Sequence, residues 1–163
     1  MCKKLTKELV KFLTPFPNDV KEITLWLRGF VWDLHPDANE LIYDNPHALT
    51  LGWSPTDKVG HTFCSIAVGR TSKTVHFGFY HGSQTATPGK TMWGEGNPYR
   101  YILVKSKDEF PTKDIKRILR DAYDSSLLKV RAQDQPPRGQ TITKLASLPK
   151  GTAAKSKIAK RKR

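Results

Sequence analysis

The sequence predicts an α+β fold: a two-layer sandwich with N- and C-terminal helices on one face of an antiparallel sheet of about five strands. Two observations predict it. Apolar residues recur at helical spacing at both ends of the first 128 residues, and five runs between them alternate with a period of two. A third observation sets the boundary, because periodicity stops after Leu128 and Gln, Pro, Gly, Ser and Lys take over.

Residues 5–13 read as a short amphipathic helix with Leu5, Leu9, Phe12 and Leu13 on one face, ended by Pro15 and Pro17. Asn18 is the expected N-cap of a second helix running from Asp19 to Leu34. Its stripe is Val20, Ile23, Leu27, Phe30, Val31 and Leu34, with Trp26 at the border. Strands are then expected at 39–44, 48–53, 62–69, 74–80 and 100–105, punctuated by Asn45-Pro46, by 54–57 and by 69–72. In the fourth run Val75, Phe77 and Phe79 point one way and His76, Gly78 and Tyr80 the other. Residues 81–99 form a long Gly/Pro-rich loop, a length that is uncommon without function. A last helix is expected from Thr112, its N-cap, to Leu128, with Ile115, Ile118, Leu119, Ala122 and Tyr123 buried.

The organisation is therefore a domain over 1–128 and a basic, disordered tail over 129–163. The charge follows the same division. Of 28 Lys and Arg, eleven lie in 129–163 against one acid, Asp134; the other seventeen face fourteen acids in 1–128. Most of the net +13 thus belongs to the tail. Its terminal run, Lys155, Lys157, Lys160, Arg161, Lys162 and Arg163, suits phosphate backbones without sequence preference. No apolar run is long enough to span a membrane, and Lys7, Glu8 and Lys11 interrupt any signal-peptide core, so a cytoplasmic protein with no membrane partner is expected. Two cysteines, Cys2 and Cys64, make no disulfide framework or CxxC pair.

The motifs for catalysis are missing. Gly89-Lys90-Thr91 has Gln84 where a phosphate-binding loop needs its first glycine, and no helix follows. His61, His76 and His81 have no Ser or Cys nucleophile at a recognised spacing. No enzyme and no cofactor is expected. Asp33, Asp37, Glu40 and Asp44, with His35 and His47, gather near the end of the second helix and the first strand and are weak metal candidates, iron included. Trp53, Tyr80, Trp93, Tyr99 and Tyr101 surround the long loop and, with Lys90 and Arg100, suit a planar or anionic ligand.

The stretch Leu13-Thr-Pro-Phe-Pro-Asn-Asp-Val20, then Pro36, Ala38, Glu40, Ile42, Tyr43 and Pro46, resembles the opening of the YdhG-like family of bacterial domains of unknown function. Phe77 to Gly82, Thr87 to Gly96 and Arg100-Tyr-Ile-Leu-Val resemble that family's later strands and loop, with Asp44, Thr87, Asn97 and Tyr101 departing from its usual residues. The resemblance covers residues 8–128. It implies a frataxin-like fold and no established reaction; some members are described as iron carriers. The functional expectation is a non-catalytic small-ligand-binding or interaction module. Its groove would be formed by the exposed sheet face and the 81–99 loop and be lined by Glu40, His76, Lys90, Trp93 and Arg100. The alternatives are an iron carrier and a nucleic-acid-associating protein acting through its tail.

Overall fold

The structure, a computed structural model, describes residues 3–80, 99–134 and 138–144. The element order is α1 (Lys7–Leu13), α2 (Asn18–Leu34), β1 (Asn39–Asp44), β2 (Ala48–Ser54), a 3-10 turn (Val59–His61), β3 (Cys64–Gly69), β4 (Val75–Phe79), β5 (Arg100–Leu103), α3 (Thr112–Leu127) and β6 (Thr141–Lys144). The α+β expectation holds, and each expected helix and strand is present within a few residues.

The strands form one sheet in the order β5-β4-β3-β2-β1-β6. β1 to β5 make an antiparallel meander in which each strand pairs with the next in sequence. Its register sets two faces. The cross-strand row Ile42–Leu51–Ile66–Phe77–Ile102 is buried and lies beneath the helices. α2 packs on β3 and β4, and α3 packs on β4. Leu9 and Leu13 of α1, Val20, Leu27 and Val31 of α2, and Ile115, Ile118 and Leu119 of α3 fill that layer. Phe110, just before α3, meets Trp26, Phe30 and Phe77 edge-on, a favoured aromatic geometry that ties both helices to the sheet.

Two expectations are corrected. The sheet is mixed and six-stranded, because β6 pairs parallel to β1 (Glu40 opposite Thr141 through Tyr43 opposite Lys144). Part of the segment read as a disordered tail is therefore built into the sheet. Gly139 prepares this docking. It adopts φ +64°, and a Cβ there would stand 2.8 Å from the Pro36 carbonyl oxygen. Its N–H donates to the Asp37 carbonyl, and the Glu40 N–H donates to the Gln140 carbonyl.

The second correction concerns α2, whose buried face is rotated from the apolar stripe. Arg28, Thr24 and Trp32 are buried, whereas Ile23, Phe30 and Leu34 are only partly covered. The caps also shift by one residue, to Pro17 for α2 and Pro111 for α3, and neither forms a side-chain capping hydrogen bond. Among the described residues no helix is long and apolar enough to cross a membrane.

Candidate functional site

Glu40 is the first expected site residue to be reassigned. It occupies the helix-facing side of β1 and is fully buried. Arg28 grips it with both arms, Nε to Oε1 at 2.7 Å and Nη2 to Oε2 at 2.9 Å. The Thr141 hydroxyl donates to Oε2 at 2.7 Å, and Arg28 Nη1 donates to the Lys3 carbonyl at 2.8 Å. A bidentate guanidinium–carboxylate pair with its remaining groups engaged is how two buried charges are tolerated. Glu40 therefore neither lines an exposed groove nor offers a free carboxylate to a metal. It joins the chain's first described residues, α2, β1 and β6.

The other acids do not converge either. Asp44 shares the Glu40 side of β1, as alternation requires, but forms an ion pair with Arg70. Asp33 and Asp37 are exposed, beyond the buried Ala38. Among the described residues no group of three or more His, Cys, Asp or Glu could hold a metal ion. The Cys64 thiol is fully buried, and burial pushes its pKa well up, so it is a packed apolar group there and not a nucleophile.

The helix-free face carries different chemistry. One cross-strand row reads Leu41–Gly52–Ser65–Gly78–Tyr101, and the next reads Tyr43–Thr50–Ala67–His76–Leu103. The first row is largely covered. The Thr62 side chain lies over Gly52, where an added Cβ would sit 3.2 Å from Thr62 Cγ2. Tyr99 lies over Gly78, where a Cβ would fall 2.0 Å from the phenol oxygen. Tyr99 also shares a hydrogen bond with Ser65, and its burial raises the phenol pKa. The second row is only half-buried from Tyr43 to His76. Thr50 and Ala67 are short, while Tyr43 and His76 stand at either side. With strands about 4.8 Å apart, the backbones bearing Tyr43 and His76 lie about 14 Å from each other, with only the short Thr50 and Ala67 side chains between them in that row.

The flanks of this row are aromatic. The His76 imidazole stacks on Tyr101 with centroids 4.7 Å apart and planes 4° from parallel, and its Nε2 lies 3.1 Å from the Thr74 hydroxyl. Burial lowers the His76 pKa, so the ring is held neutral. Tyr99 sits beside Tyr80 and Tyr101, at 5.2 and 6.1 Å. On the opposite flank the Tyr43 phenol oxygen is shielded and has no hydrogen-bond partner. Burial and the neighbouring Tyr80 raise its pKa, leaving it a neutral donor.

Of the expected groove residues that are described, Glu40, His76 and Arg100, only His76 lies on this face. Arg100 falls in register with Phe79 and so on the Glu40 side of the sheet; its Nη1 donates to the Tyr99 carbonyl at 2.7 Å. Trp53 is core, edge-on to Trp32. Lys90 and Trp93 lie outside the described residues, as do Lys155, Lys157, Lys160, Arg161, Lys162 and Arg163. Sequence reasoning missed the Tyr43 flank and the short Thr50–Ala67 pair. Carrying the His76 alternation across the register into β3, β2 and β1 would have found both.

Fold and site together define an α+β domain with a mixed sheet, helices on one face and a tyrosine-rich patch on the other. No protein-family model, no curated protein and no solved structure matches the chain.

Proposed function

We propose that the domain is a non-catalytic binding module and that its helix-free sheet face receives a small planar ligand. The observation that carries this reading is the half-buried row in which the short Thr50 and Ala67 lie between the parallel His76–Tyr101 stack on one side and Tyr43 on the other. A flat ring lying on such a row gains stacking contact from aromatic side chains already held in place, at little further ordering cost. Neutral, half-buried His76 supplies one ring nitrogen for orientation. The succession from Leu13 to Val20 and from Pro36 to Pro46 supports placing the module with the YdhG-like domains. The iron-carrier alternative is weakened, since Glu40 and Asp44 are each engaged by an arginine.

The test is an NMR titration of the full chain with adenosine, nicotinamide and indole. At least one should shift Thr50, Ala67, His76 and Tyr101 saturably, and Tyr101→Ala should weaken that binding about tenfold, the scale of losing one base–aromatic stack of about 1–3 kcal/mol. Equal affinity in the variant, or no saturable shift on this face with any of the three, would refute the reading.

A further inference from the structure

A cavity lies at the edge of the sheet, between the start of α2 and the β4–β5 edge, with a volume of about 260 Å³ and Thr74 and Leu103 in its lining. Its floor is apolar: Val20, Val75 and Val104 are 6, 3 and 6% exposed. Its rim is charged and exposed, with Lys73 and Lys105 against one acid, Asp19. Neither lysine is within ion-pair distance of a carboxylate among the described residues, whereas the neighbouring Arg70 is matched by Asp44. Lys73 is also held in place. Its ammonium lies 5.2 Å over the Phe16 ring, which Arg70 approaches at 5.4 Å.

We propose that this cavity binds a small amphipathic anion, a carboxylate or phosphate monoester on a short branched apolar body. Two ammonium groups with no carboxylate partner among the described residues flank an apolar pit that is somewhat below the size of drug-like sites, about 300–1,000 Å³. An apolar body of a few carbons gains by leaving water for the valine floor. The anionic head meets two cations and one acid, so charge favours it over a neutral or cationic head of equal shape. Because the rim is exposed, the charge contribution falls with salt.

The proposal is separable from the planar-ligand reading, since it uses none of the same side chains. Lys73 offers a clean variant: its φ of +56° is one that glycine adopts freely, so Lys73→Gly removes the charge and keeps the turn. The full chain, with methyl-labelled valines, is titrated with isovalerate, isobutyl phosphate and the neutral 3-methylbutanol. One or both anions should shift the Val20, Val75 and Val104 methyls saturably and bind at least tenfold tighter than the alcohol. The preferred head group is the one that binds tighter. Lys73→Gly with Lys105→Ser should weaken anion binding at least tenfold. Lys105→Ser alone, at an exposed position, should weaken it about threefold. Equal binding of the alcohol, no saturable shift with either anion, or unchanged affinity in the variants would overturn the proposal.

Discussion

At Gly78 one added methyl group would meet the Tyr99 ring, so Gly78→Ala should lift that ring from Ser65 and from its place beside Tyr101. Overpacking of this kind costs about 1–3 kcal/mol, to be read as a lower urea midpoint at unchanged slope. The Arg28–Glu40 pair predicts a larger effect. Arg28→Met leaves a buried carboxylate uncompensated, a loss of about 3–5 kcal/mol, and Arg28→Met with Glu40→Met should recover much of it in a double-mutant cycle. The half-buried histidines predict a pH dependence. His35, packed against Phe63 and Tyr123, and His76 both have pKa values lowered chiefly by burial, with Asp124 opposing and Arg120 assisting at His35. The folded state thus holds fewer protons than the unfolded chain. The histidine contribution is complete above their ordinary value near 6.5 and is lost as pH falls below it toward the folded midpoints. NMR titration should place both midpoints below that of a histidine peptide, and His35→Gln should flatten the acid limb of the stability curve. At this scale the apolar core was legible, because Val20, Leu27, Val31 and Ile115 announce themselves by spacing. Arg28 and Glu40 were not: charged side chains read as solvent-facing until a partner brings them inside together.

At the scale of elements, β6 shows where local pattern runs out. Thr141-Ile-Thr-Lys144 has one apolar residue and little alternation to distinguish it from the polar stretch around it. An edge strand needs only one neighbour, and its pairing is specified by the Gly139 turn and by Glu40, far away in sequence. Gly139→Ala tests this. A left-handed alanine costs about 1–2 kcal/mol, and its methyl would press on the Pro36 carbonyl, so amide exchange at Glu40 should quicken while β3 and β4 stay protected. The meander was legible for the opposite reason, since its strands pair with sequence neighbours, and turn residues such as Asn45-Pro46 and 69–72 mark reversals between them. The α2 stripe was only half legible. Spacing identified the helix, but Trp26 and Phe30, partly covered beside Phe110, imitate core positions in the pattern.

For the whole molecule, the sheet is closed by its most distant pairing in sequence: β1 is flanked by β2 on one side and by β6 on the other. A chain ending at Asp134 should unfold at lower urea than one ending at Lys144, because Glu40 loses the Thr141 hydroxyl and β1 loses its parallel neighbour. This order has a consequence for synthesis on the ribosome. The meander and both long helices leave the exit tunnel before residues 138–144 do, and throughout that interval β1 presents a bare row of amides and carbonyls to its surroundings or to another nascent chain. Translation speed through the Pro136–Gly139 stretch therefore sets how long that unguarded border lasts.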